Sequence, residues 1–211
     1  MLELSNFSNT IETIIKDVYG ARSSLAGDEG YDKYLRNAAV YMDYYFKLFS
    51  QLIAEDDKEK NILDFGCGPA FSVYTGQLLG LKNIRGLDVN LAEMEIDFII
   101  QKIHSGLEIE EEIDFYKGHG ALPYDDNSQG IILSIWSILG DYSLQSGLGS
   151  WLSPDMGAEE EERLQNRLLE LIRISSSDTK WVISPKKHWD VVANVYNEIK
   201  HDKNIKLLVV D

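Results

Sequence analysis

The spacing of apolar positions changes near residue 61, and with it the kind of element the chain predicts. Ahead of that point Ile11, Ile14, Ile15, Val18 and Tyr19 recur at helical spacing and predict a short amphipathic helix. The stretch ARSSLAGDEG, rich in glycine and serine, then reads as a loop. From Tyr31 to about Ala54, the positions Tyr34, Leu35, Ala38, Tyr41, Met42, Tyr45, Phe46, Phe49 and Ile53 mark a longer helix, which the acidic EDDKEK ends.

Beyond Asn61 short apolar runs alternate with helical segments. Strands are predicted over 62–65, 84–88, 113–116, 130–135, 181–184 and 205–210, and helices over 91–104, 159–174 and 189–200. Such alternation implies right-handed crossovers and a largely parallel sheet covered on both faces. The expected division is a helical cap, residues 1–60, packed on a main domain of residues 61–211. Residues 140–157, with four glycines, form a long loop, and loops of that length are usually functional or disordered.

Composition narrows the partners. A formal net charge of -15 over 211 residues disfavours nucleic acid, whose binders usually carry a basic footprint, and the one compact basic run is Lys186-Lys187-His188. Cys67 is the single cysteine, so no disulfide forms within the chain, which fits a reducing compartment. The opening MLELSNFSNT lacks the basic start and apolar run of a signal peptide, and the apolar run at 131–139 is shorter than the roughly 20 residues that span a bilayer. The expectation is a cytoplasmic protein.

The candidate chemistry lies in ILDFGCGPAF, residues 62–71. An apolar strand ends in an acid, Asp64, and turns on Gly66 and Gly68, which permit positive φ and let a ligand approach main-chain amides at the start of the next helix. A nicotinamide-dinucleotide turn needs a third glycine, or alanine, where this chain has Phe71. No Gly-Lys-Ser/Thr follows, so a Walker-type phosphate loop is excluded.

The stretch resembles motif I of the class I S-adenosylmethionine-dependent methyltransferases, a strand ending Asp-x-Gly-x-Gly. NIRGLDVN supplies the acid that this family uses to close its second strand, Asp88, and YKGHGALPYDDNSQGIILSIWS resembles the family's third- and fourth-strand region. The resemblance covers roughly residues 61–184. It implies an α/β fold, a Rossmann-like three-layer sandwich with a mostly parallel sheet, here with an added N-terminal helical segment. It implies S-adenosyl-L-methionine as cofactor, with Asp64, Gly66, Gly68 and Pro69 around its methionine portion and Asp88, followed by Val89, on the ribose. His119 and Gly120 fall near the adenine, and Ser134, Ile135 and Trp136 near the methyl group and the substrate. The chain departs from the family at His119, where an acid is common, and at Gly130, where an aspartate is common. Only IKLLVVD follows the last predicted helix, where the family usually has a strand hairpin.

Other residues have plainer readings. Cys67 reads as a small packing residue in the turn. His119 reads as an adenine neighbour, a loop histidine or a base. The four histidines are scattered without metal-ligand spacing, and no metal is expected. Glu159 to Glu162 suit the first turn of a helix. Tyr34, Tyr41 and Tyr45 read as core, while Tyr19, Tyr31 and Tyr34 could face a cleft beneath a helical lid. The expected activity is methyl transfer to a small or medium-sized acceptor, with Asp141, Tyr142 and His119 as candidate bases. The alternative is a catalytically inactive cofactor-binding domain acting as a regulatory or assembly partner.

Overall fold

A computed structural model of the chain describes residues 9–13, 17, 38–68, 70–88, 114–115, 121–135, 158–184, 193–194, 196–197 and 203–210. The helix expected over 91–104 and the loop over 140–157 lie outside them. The elements in chain order are α1 (Ala38–Leu52), β1 (Ile62–Phe65), α2 (Phe71–Leu78), β2 (Ile84–Asp88), β3 (Asp114–Phe115), β4 (Gln129–Ile135), α3 (Ala158–Ile174), β5 (Ser175–Ser184) and β6 (Lys206–Val209). The strand order is β3-β2-β1-β4-β5-β6. It reverses direction between β1 and β4, the kind of point where open α/β sheets bind ligands beyond their carboxyl ends.

Two compact units divide the chain, one of Met1–Glu59 and Cys67–Phe115, the other of Lys60–Gly66 and Tyr116–Asp211. In the first, α1 buries Ala38, Met42, Tyr45, Leu48 and Phe49, the three- and four-residue spacing of one helical face. The acidic run closes it in a 3-10 turn, Glu55–Asp57, whose Asp57 carboxylate accepts the Ala54 N–H at 3.0 Å. In α2 every residue from Phe71 to Gly76 is buried, and the helix packs against both α1 and β2. Leu87 and Asp88 of β2 pair in parallel with Asp114 and Phe115 of β3.

The second unit holds β1, β4, β5 and β6, all parallel. Ile62, Leu63, Ile131, Ile132, Leu133, Trp181, Val182 and Ile183 are all buried, the continuous apolar run that a strand covered on both faces requires. Helix α3 turns Arg167, Leu168, Leu171 and Ile174 inward and leaves Leu169 exposed. Strand β5 begins at Ser175, well ahead of the expected 181, directly after α3. The polar SSSDTK holds this position because its side chains substitute for a regular ladder across an irregularity in the β4–β5 pairing. Thr179 donates its hydroxyl to the Gln129 carbonyl at 2.7 Å, Ser175 donates to the Leu171 carbonyl at 2.7 Å, and Trp181 Nε1–H donates to Ser175 Oγ at 2.9 Å.

Candidate functional site

Three residues with positive φ follow β1: Gly66 at 81°, Gly68 at 51° and Ala70 at 60°. Glycine adopts this conformation without steric cost, whereas Ala70 bears about 1–2 kcal/mol for it. Ala70 is fully buried and caps α2, and its N–H reaches back to the Cys67 carbonyl at 2.9 Å.

The turn is fastened to the end of β2 at successive residues. Cys67 N–H donates to the Leu87 carbonyl at 3.2 Å, and Gly68 N–H donates to Asp88 Oδ2 at 2.8 Å. The Cys67 thiol is buried over Gly86, where an added Cβ would stand 2.6 Å from the sulfur. Gly86, Leu87 and Asp88 therefore form a matched set beneath Cys67 and Gly68. Asp88 is only 3% exposed, so its carboxylate is committed to partners inside the protein or to a ligand that excludes water.

Phe71, at the position of the dinucleotide fingerprint's third glycine, is buried and stacks parallel on Tyr41 of α1, with centroids 5.7 Å apart and planes 6° apart. Close approach of helix to strand falls instead to Gly76, where a Cβ would meet Ile84 Cδ1 at 2.7 Å. Burial, and secondarily Cys67, pushes the Tyr74 phenol well above its ordinary pKa, so it stays protonated.

In the second unit Asp64 is 1% exposed and lies opposite Leu133 of β4. Ser134 and Ile135 close β4, both buried, opposite Ile183 and Ser184 of β5. The Arg167 guanidinium of α3 sits over the Phe65 ring, 5.4 Å from its centroid. Gly130 has a steric reason: an added Cβ would meet Cβ and Cδ of Lys60 at 3.0 Å, and Lys60 pairs with Asp178 at 3.6 Å. The aliphatic stem of a lysine thus fills the space beside the residue that stands where an aspartate is common.

The loop ahead of β4 is clamped from α3. Arg173 donates to the carbonyls of Leu122 and Tyr124 at 3.0 and 2.9 Å and to Asp126 at 2.6 Å. Glu170 accepts the Leu122 N–H at 2.7 Å and pairs with Arg173 at 2.9 Å. The Arg173 hydrogen bond holds the Glu170 carboxyl below its ordinary range, and the Leu122 N–H adds to this. Lys203 donates to the carbonyls of Ile172, Arg173 and Ser175, capping the same helix end.

Of the residues expected at a site, Gly68 and Asp88 meet directly, and Asp64, Ser134 and Ile135 lie at the carboxyl ends of paired strands. Pro69, Val89, His119, Gly120, Trp136, Asp141 and Tyr142 lie outside the described residues. Reading the sequence missed Gly86, Ala70 and Arg167. Only Gly86 had a local signal, a glycine two residues before the acid in an otherwise apolar strand. Among the described residues no three His, Cys, Asp or Glu side chains could hold a metal, and no helix is long and apolar enough to cross a membrane.

No family model matches the sequence, and no curated protein sequence does either. Solved structures do match by shape. A Methanococcus maripaludis protein described as a candidate S-adenosyl-L-methionine-dependent methyltransferase aligns with a TM-score of 0.50 and 16% identity, over 84% of this chain and 71% of that one. The fold is that of the class I S-adenosylmethionine-dependent methyltransferases. An Aquifex aeolicus methyltransferase aligns at 0.41 and 15% identity over 63% of this chain, and the S-adenosylmethionine-bound amino pentose methyltransferase CalS10 of Micromonospora echinaspora at 0.40 and 14% over 82%. This chain spans 58% of the length of each of those two.

The turn suits the cofactor that this methyltransferase fold implies. Among the described residues nothing lies within 4 Å of the place a Gly68 Cβ would take. A buried carboxylate stands at the same residue, and a carboxylate is the acceptor a ribose diol requires.

Proposed function

We propose that the protein is an S-adenosyl-L-methionine-dependent methyltransferase acting on a small or medium-sized acceptor. The observation that carries this reading is the buried Asp88 carboxylate bonded to the amide of Gly68, where nothing among the described residues lies within 4 Å of an added Cβ. A dinucleotide turn with Phe71 buried at its third glycine position has no equivalent claim.

In this reading Asp64, Gly66, Gly68 and Pro69 hold the methionine portion, Asp88 and Val89 the ribose, and His119 and Gly120 the adenine. Ser134, Ile135 and Trp136 face the acceptor. The bound cofactor supplies an activated methyl group on a sulfonium, so the chain's own work is to bind, to align the acceptor and to exclude water. A base is required only where the acceptor carries a proton at working pH, and Asp141, Tyr142 and His119 are the candidates. Residues 1–60 are rich in tyrosine, a side chain whose aromatic face suits a sulfonium or a cationic amine. The charge of -15 favours small-molecule acceptors over nucleic acid, and the single buried thiol suits the cytoplasm.

Calorimetric titration with S-adenosylmethionine and S-adenosylhomocysteine tests the cofactor. Micromolar binding supports the reading, and absence of both heat and thermal shift overturns it. Turnover with a panel of small amines, alcohols and thiols then separates a methyltransferase from a domain that binds the cofactor without catalysis.

A further inference from the structure

Asp88 is tied to the glycine turn before any ligand is considered. Its Oδ2 accepts the Gly68 N–H at 2.8 Å across 20 residues of sequence, with Asp88 buried and Gly68 half-buried. A hydrogen bond to a charged acceptor is stronger than a neutral one, and shielding strengthens it further. The neighbouring bond, Cys67 N–H to the Leu87 carbonyl at 3.2 Å, is longer and neutral. The third contact is the Cys67 thiol, which packs over Gly86 and makes a long, weak hydrogen bond to the Gly68 carbonyl at 3.7 Å. Of the contacts to Gly68, whose φ is 51°, the short carboxylate bond is the strong one, and the thiol bond to its carbonyl is weak.

From this geometry we infer that Asp88 is a positioning residue as well as a ligand-binding one: its carboxylate latches Gly68 and holds the turn in its binding shape. The inference rests on the cofactor reading for its functional consequence, but the latch is a property of the protein alone. It changes how substitutions at Asp88 are read. Asp88→Ala removes the ribose acceptor and releases the turn together. Asp88→Asn keeps an acceptor oxygen for the Gly68 N–H at nearly the same volume, while removing the charge and one of the two acceptors a ribose diol uses.

The test is amide hydrogen exchange, read residue by residue by NMR on the full 15N-labelled chain without cofactor, joined to S-adenosylhomocysteine titration. In the wild type the Gly68 amide is protected and its proton resonates downfield. Asp88→Asn retains protection within about tenfold, whereas Asp88→Ala loses it by about 10- to 100-fold relative to wild type. Both variants bind S-adenosylhomocysteine more weakly, and Asp88→Ala is weaker than Asp88→Asn by about tenfold, the latch together with the acceptor oxygen that Asn retains.

A wild-type Gly68 amide that exchanges at the rate of an unprotected one overturns the latch, and this reading needs no variant to fold. Equal protection in wild type and Asp88→Ala overturns it too, as does equal affinity of the two variants. Protection without any binding of S-adenosylhomocysteine by wild type would overturn the cofactor reading and leave the latch standing. Binding without protection would do the reverse.

Discussion

The turn after β1 and the loop before β4 are both irregular segments held in place, and they are held in opposite ways. The turn is shaped by three left-handed residues, and its Cys67, Gly68 and Ala70 N–H groups are held by two carbonyls and one carboxylate. The loop offers carbonyls, and Arg173 takes up those of Leu122 and Tyr124 while Glu170 takes the Leu122 N–H. At Gly68 nothing among the described residues lies within 4 Å of where a Cβ would stand; the loop has its carbonyls taken up by a side chain of the next helix. A segment clamped by half-buried side chains of a neighbouring helix contributes to stability, and one whose Gly68 is held by a buried carboxylate can bind. The difference predicts that substitutions in the first will act on affinity and substitutions in the second on stability.

The largest expected effect lies in the turn. Gly68→Val puts a β-branched side chain at a left-handed φ, abolishing measurable S-adenosylhomocysteine binding by calorimetry. The backbone strain should cost only about 1–3 kcal/mol of stability, so the variant still folds. Retained affinity in Gly68→Val would break the comparison from the binding side.

Next comes the clamp. Arg173→Ala strands two carbonyls and Glu170, and should lower stability by about 2–3 kcal/mol in urea unfolding. For a chain of this size that corresponds to a fall of roughly 4–12 °C in melting temperature. Cofactor affinity should stay within about twofold of wild type, and a larger loss would show that the loop serves the site directly.

Gly86→Ala sharpens the picture at the turn's underside. The added methyl would lie 2.6 Å from the Cys67 sulfur, an overpacking of about 1–3 kcal/mol. Thermal melting of the double variant Gly86→Ala, Cys67→Ala should recover part of that loss, because the sulfur is the nearest atom in the clash. No recovery would mean that the clash is carried by Cys67 Cβ at 3.0 Å and Val73 Cγ2 at 3.3 Å rather than by the sulfur.

The smallest effect is a pH dependence. The Glu170 carboxyl is held below its ordinary value of 4.5, first by its hydrogen bond to Arg173. A depressed carboxyl binds its proton more weakly in the folded chain than in the unfolded one. Its contribution is therefore complete above the unfolded value and is lost as pH falls through the lower folded value. Glu170→Gln should accordingly flatten the acid limb of stability below about pH 4.5, measured by urea unfolding at stepped pH. An unchanged slope would remove Glu170 from the clamp's electrostatics.

What the sequence by itself determined is the set of local elements and the turn. The strands at 62–65 and 84–88 were legible to the residue, because runs such as ILDF and IRGLD carry their burial in their composition. Gly66 and Gly68 announced a turn, since few other residues adopt positive φ without cost. The beginning of β5 was not legible, because SSSDTK is polar and its place depends on hydroxyl bonds to Gln129 and Leu171. Tertiary structure alone decided which partners meet: Asp88 on Gly68 across 20 residues, Arg173 on Leu122 across 51, Phe71 on Tyr41, the Lys60 stem on Gly130. The physical reason is that periodicity reports which face of an element is buried and says nothing about what covers it. A hydrogen bond or a 2.6 Å steric limit depends on the final distance between two chain segments, and that distance exists only once the sheet and its helices have packed.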